Sequence, residues 1–268
     1  MKRNPRALAA IGLILLAAVL PGTTGCDSSD DSDNTPQLQV QVLAPRPHDT
    51  TAFTEGLETD GNVLYEATGI EGHSGVRATD LTTGAQLAAA DLAPQYFGEG
   101  ITKAGTILWE LTWKNGVAFA RNPNTLAELR TVHYDGEGWG LCTRDNRLVM
   151  SDGTDTLTFR DPVSFAATGS VRLTSHHNVQ LNELECAPDG SIYADEWPTD
   201  HILHIDPNSG RVLGDIDASG LLTPIQRAGT DVLNGITDLP GTDRFLITGK
   251  YWPTMFEVRF VPKEARHE

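Results

Sequence analysis

The chain has no basic excess, few cysteines, only 7% aromatic residues and no long unbroken apolar run. Its 20 Lys and Arg stand against 36 Asp and Glu, a net charge of −16. That balance argues against a nucleic-acid binder, which needs basic side chains to neutralise phosphates. No segment reaches the roughly 18 apolar residues of a membrane-spanning helix. Three cysteines exclude a disulfide-dense miniature domain and a four-thiolate metal site. Helical periodicity is nearly absent beyond the N-terminal segment. What is present is 268 residues, 39% of them hydrophobic, with 26 glycines and 15 prolines. Such a chain can bury a sizeable core and turn often, which suits one large domain.

The first residues read as an address. Lys2, Arg3 and Arg6 precede an uncharged apolar run of 14 residues, Ala7 to Leu20, and then small, turn-prone residues to Gly25. This is the layout of a secretory signal over residues 1–25. With Cys26 next, the segment resembles a bacterial lipoprotein signal, which implies lipidation of Cys26 as the new N-terminus. An ordinary cleaved signal ending near Gly25 fits the same residues. Removing residues 1–25 takes away three basic residues and no acidic ones, deepening the net charge to −19. Either form is exported, to the periplasm or the cell surface, with a lipid anchor as the sole membrane attachment. Residues 26–36, with four aspartates and almost nothing apolar, read as a solvated tether.

Beyond the tether one pattern recurs. A segment rich in Gly, Glu, Asn and Trp is followed by a turn and an apolar β-type run. The copies begin at Phe53, Phe97, Glu137, Gln180 and Val232, spaced 44, 40, 43 and 52 residues apart. Each continues into a third strand, and the first four into a fourth, with Asp80, Asn122, Asp161 or Asp206 opening the turn between them. Four antiparallel strands at this period make a β-propeller blade. The fifth copy ends after its third strand, but residues 37–43 supply an alternating strand at the front of the chain. The expected fold is therefore all-β: a five-bladed propeller over residues 37–262, closed by the N-terminal strand, with a polar tail at 263–268.

First strands line the channel of a propeller. Their third positions are Glu55, Glu99, Trp139, Asn182 and Asn234; their fifth are Leu57, Ile101, Leu141, Leu184 and Ile236. Period two predicts that both sets face the channel, a polar and aromatic ring one storey from an apolar one. The hairpin loops add Trp113, Lys114, Trp197, Lys250, Tyr251 and Trp252 at one mouth. Adjacent buried carboxylates cannot both ionise cheaply, so Glu55 or Glu99 is expected to hold a proton near neutral pH. Cys142 and Cys186 fall on neighbouring inner strands, where a disulfide and two buried thiols are equally consistent with the spacing.

The segments FTEGL, FGEGIT, LTWKNGVAF, YDGEGWGL, LNELE, IYADEW, HIDPNSG, LNGI and TGKYWP together resemble the glutaminyl-peptide cyclotransferases of the plant and bacterial type, in order over nearly all of residues 45–260. The resemblance implies a five-bladed propeller that converts an N-terminal glutamine to pyroglutamate with loss of ammonia. It implies Glu99 as the acid–base group, with Asn182 and Lys250 as polar partners. Phe53, Phe97, Trp113, Trp139 and Trp197 would wall the substrate pocket. Glu55 departs from the family's usual glutamine and adds a second carboxylate there. The implied partners are peptides or proteins beginning with glutamine, met by a monomer that needs no cofactor, although a structural cation can be accommodated. Two other functions fit the same residues: a calcium-dependent propeller lactonase or esterase using Glu55, Glu99, Asn182 and Asn234 as oxygen ligands, and a non-catalytic surface lipoprotein that binds peptides.

Overall fold

The structure is a computed structural model and describes residues 34–263. The signal segment, Cys26, most of the tether and residues 264–268 lie outside the described residues. The described chain forms three four-stranded antiparallel sheets in sequence order and one eight-stranded sheet. Strand β1 (Gln37–Pro47) precedes a first sheet of β2 (Thr54–Asp60), β3 (Val63–Thr68), β4 (Gly75–Asp80) and β5 (Gln86–Asp91). A second contains β6 (Gly98–Ala104), β7 (Ile107–Thr112), β8 (Val117–Arg121) and β9 (Glu128–His133). A third contains β10 (Leu141–Arg144), β11 (Arg147–Met150), β12 (Thr156–Arg160) and β13 (Ala167–Arg172). An eight-stranded sheet completes the fold. It holds β14 (Gln180–Cys186), β15 (Ile192–Trp197), β16 (His201–Asp206) and β17 (Arg211–Asp217), then β1, β20 (Thr254–Pro262), β19 (Phe245–Gly249) and β18 (Leu233–Asp238). The architecture is all-β and consistent with a propeller. One four-residue helix, α1 (Pro224–Arg227), sits in the β17–β18 connection.

The turn chemistry is as the sequence leads one to expect. Asp80, Asn122 and Asp161 each accept from the backbone N–H groups two and three residues on, and Asp206 from that two residues on. Strand β1 pairs antiparallel with β20 from Leu38 to Pro47, and touches β17 in parallel over only Gln37–Gln39. It thereby covers the edge that β20 would otherwise leave open.

The inner strands contact one another in a closed cycle, β2 to β6, β10, β14, β18 and back to β2. Their glycines make this possible. A Cβ at Gly56 would lie 2.8 Å from Ile101 N, and one at Gly100 would lie 2.6 Å from Trp139 O. Where the other copies have glycine, the fourth has Glu183, wholly buried. Its carboxylate accepts from Leu57 N at 3.1 Å and Ile236 N at 2.9 Å, so it spans the centre of the cycle and ties three inner strands together.

The expected apolar ring does not form. β-Bulges displace the register between Thr54 and Gly56, Gly98 and Ile101, Leu181 and Leu184, and Leu233 and Ile236. A bulge adds a residue to one strand and interrupts its alternation. Leu57, Ile101, Leu184 and Ile236 follow these bulges, and with Leu141, whose ladder is regular, they pack one into each of five separate hydrophobic clusters between neighbouring strand groups.

Candidate active site

The third positions of the inner strands do converge: Glu55, Glu99, Asn182 and Asn234 each sit in a bulge, and Trp139 lies just before β10. All but Asn234, which is buried behind Glu55, line a cavity of about 640 Å³. Glu55, Glu99, Asn182 and Lys250 line it, as do Phe53, Phe97, Trp113, Trp139 and Trp197. The residues that the family resemblance implies for acid–base chemistry and for the pocket walls thus line one cavity.

At the floor, Glu55 Oε1 lies 2.8 Å from Lys250 Nζ, and its Oε2 accepts from Asn234 Nδ2 at 3.0 Å. The same amide also donates to Thr54 O, so Asn234 braces the backbone and the carboxylate together. The Glu99 carboxyl is the neighbouring acid of Glu55 in the same cavity. Burial pushes both carboxyls up. Glu55, countered by Lys250, rises to about 7; Glu99 rises well above the carboxylate range because Glu55 adds its charge to the burial. Of the two, Glu99 is pushed further toward its protonated form. Asn182 is 3% exposed, and its Oδ1 has no hydrogen-bond partner among the described residues. A buried acceptor of that kind is stabilised by any donor entering the cavity.

The walls are aromatic. Phe53 meets Phe97 edge-on at 6.0 Å, Phe97 lies 5.5 Å from Trp113, and Trp139 meets Trp197 edge-on at 5.9 Å. Gly69 makes room behind them: a Cβ there would overlap the Phe97 ring and stand 2.9 Å from Glu55 Oε1. The Lys250 ammonium lies 4.5 Å from the Phe53 ring centroid, a cation–π contact in a desolvated place.

Two residues differ from expectation. Trp252 is wholly buried, donates to Asp231 O and packs in the hydrophobic cluster around Ile236. It is a packing residue and no part of the mouth, because Tyr251, at φ +62°, turns the chain between Lys250 and Trp252. Tyr251 instead packs 5.1 Å from Phe53. Glu137, not singled out in the sequence, lines the cavity and accepts hydrogen bonds from Trp113 and Trp139. Its position at the start of the third repeat, where no other copy carries an acid, was the available signal. Cys142 and Cys186 are joined in a disulfide between β10 and β14.

The chain is similar to known proteins over most of its length. An Arabidopsis thaliana glutaminyl-peptide cyclotransferase is 36% identical over 235 residues, 85% of this chain and 73% of that protein. The crystal structure of Myxococcus xanthus glutaminyl cyclase superposes with a TM-score of 0.76 at 37% identity, covering 86% of this chain and 100% of that one. A chain of a nidogen–laminin complex, 14% identical, matches 74% of this chain and 73% of its own at a TM-score of 0.51, a likeness of fold alone. The family model described as glutamine cyclotransferase matches residues 13–260. By this match and by its identity to the plant enzyme, the chain belongs to the glutamine cyclotransferase family.

Proposed function

We propose that this chain performs the glutaminyl-peptide cyclotransferase reaction of its family with Glu99 as proton shuttle, in the cavity that Glu55, Lys250 and the tryptophans enclose. The observation that carries this reading is the Glu99 carboxyl on the floor of an indole-walled cavity, buried beside the Glu55 carboxylate that Lys250 neutralises.

In the reaction the α-amine nitrogen of the N-terminal glutamine attacks its own side-chain carbonyl carbon. A C–N bond forms, a five-membered ring closes, the bond to the carboxamide nitrogen breaks, and ammonia leaves. Nucleophile and electrophile share one residue, so the protein's main task is to hold them in the near-attack geometry. The walls of Phe53, Phe97, Trp113, Trp139 and Trp197 suit the glutamine methylenes and exclude water. A free α-amine titrates at about 7.7–8.0, leaving a neutral fraction at physiological pH. Glu99 gives its proton to the departing nitrogen and takes one from the attacking nitrogen, so no proton is gained or lost. Such a transfer contributes roughly 10²–10⁴-fold. Lys250 and Asn182 lie beside the place where the carboxamide oxygen becomes an oxyanion, with Lys250 supplying positive charge and Asn182 hydrogen bonding.

In this reading Lys250 is the cation of the site. Glu55 spends its two oxygens on Lys250 and Asn234, which argues against the calcium-dependent alternative. The eight-stranded sheet is read as two blades, β14–β17 and β18–β20 with β1, so that the fold is a five-bladed propeller with residues 37–262 as one catalytic domain. The chain is read as an exported monomer tethered through lipid on Cys26; the Cys142–Cys186 disulfide, of a kind that persists in oxidising compartments, supports export.

The test is mass spectrometry of peptides that begin with glutamine. A loss of about 17 Da, the mass of ammonia, is expected with Gln-starting peptides and not with Asn-starting ones, whose ring would be one carbon smaller and strained. Binding of Gln-starting peptides without that loss would overturn the enzymatic reading in favour of a peptide-binding protein.

A further inference from the structure

Glu137 has no part in the proton transfer described above, yet its placement is singular. The equivalent first positions of the other repeats carry Phe53, Phe97, Gln180 and Val232. Its Oε2 accepts from Trp113 Nε1 at 2.8 Å and from Trp139 Nε1 at 3.0 Å. Those indoles come from different repeats and belong to different walls. Trp113 follows β7 and packs on Phe97; Trp139 precedes β10 and packs on Trp197. One carboxylate oxygen thus joins the two walls at a fixed separation.

The carboxylate is itself held. Lys114 Nζ lies 3.8 Å from Glu137 Oε1 and 3.8 Å over the Trp113 ring, covering the clamp from the solvent side. At 40% side-chain exposure Glu137 belongs to the rim and not to the floor. An indole has a single N–H donor, and an ionised acceptor gives the stronger kind of hydrogen bond. Fixing that one bond in each ring fixes the angle of each ring about its Cβ.

We propose that Glu137 is a positioning residue that sets the width of the slot between Trp113 and Trp139, into which the glutamine side chain enters. This rests on the reading of the cavity as the glutamine site. Glu137 does not touch the reacting atoms, so its loss loosens binding more than it slows turnover.

The experiment pairs kinetics on the dipeptide Gln-Ala with ¹H–¹⁵N spectra of the indole groups in substrate-free protein, for wild type, Glu137→Ala and Glu137→Gln. Trp113→Phe and Trp139→Phe identify the two resonances. Glu137→Ala is expected to move both indole resonances and to raise KM about tenfold with kcat within about threefold. Glu137→Gln keeps an acceptor oxygen and is expected to restore KM to within about threefold of wild type. Unmoved resonances in Glu137→Ala, an unchanged KM, or a Glu137→Gln variant as impaired as Glu137→Ala would overturn the clamp. The spectra need no turnover. Wild-type protein that shows the two resonances moved by Glu137→Ala but forms no pyroglutamate would overturn the function assigned above, and leave the clamp standing.

Discussion

Glu55 and Lys250 form a buried ion pair, 2.8 Å between Oε1 and Nζ, on the floor of the cavity that also holds the Glu99 carboxyl. Two carboxyls and one ammonium are electrically balanced only when one proton sits on the pair of acids. The geometry gives that proton to Glu99, since Glu55 already has Lys250 and Asn234 as partners.

Glu55→Gln follows directly from that balance. Removing the neighbouring negative charge, while Lys250 stays, lowers the pKa of Glu99. The proton that Glu99 must deliver is then lost at lower pH. The basic limb of the kcat/KM profile is therefore expected to move to lower pH, with the acid limb, set by the substrate amine, in place. A basic limb that stays or moves upward would contradict the shared proton.

Folding stability has its own pH dependence. Burial raises Glu55 and Asp195 to about 7, and burial beside Asp195 raises Glu183 well above the carboxylate range. A group raised on folding keeps its full contribution below its unfolded pKa, near 4, and loses it as pH rises through the folded value. The opposite effect, from Asp49 and Asp217 held low by Arg77 and Lys263, acts only below about pH 4. Thermal denaturation is expected to show Tm falling between pH 5 and pH 8. Glu183→Gln flattens that fall, while costing about 1–3 kcal/mol at pH 5 because its amide turns one N–H donor toward Leu57 N or Ile236 N.

Gly69→Ala is a test of the space behind the site. The added methyl overlaps the Phe97 ring and crowds Glu55. Overpacking of this kind costs about 1–3 kcal/mol, and the displaced groups are a cavity wall and the anion of the floor. Activity is expected to fall at least about tenfold while the protein remains folded by circular dichroism. Full activity in the variant would show that neither group needs its place.

Much of this was legible from the residues alone. The repeat placed the strands because turn residues such as Asp80 and Asn122 act locally, on backbone groups two and three positions away. Glu55, Glu99 and Asn182 were legible as neighbours because they share a repeat position. The fifth-position ring was misread since alternation presumes an unbroken ladder, and a bulge leaves no mark beyond an ambiguous glycine. Trp252 was misread for a related reason. A hairpin rule finds the end of the sheet at which a loop lies, not the side to which a single left-handed residue, Tyr251, sends the next ring. Glu137 went unnoticed because its meaning lies in two indoles, 24 residues before it and two after, brought together only by the fold.

The disulfide bears on stability and not on chemistry. Cys142 and Cys186 close a loop of 44 residues, for which chain entropy gives about 4 kcal/mol. Replacing both by serine is expected to lower Tm by roughly 10 °C and to leave kcat at 25 °C within about twofold. A large loss of kcat in folded protein would mean that the β10–β14 link shapes the cavity.

The most direct measurement is the rate of ammonia release from Gln-Ala by Glu99→Gln beside wild type, with dipeptide affinity followed by tryptophan fluorescence. The variant keeps the shape of the side chain and loses the transferable proton. A fall of at least about a hundredfold in kcat, with affinity within about threefold, is the expected result. Comparable rates in the two proteins would remove Glu99 from the proton path, and with it the account of how this cavity closes the ring.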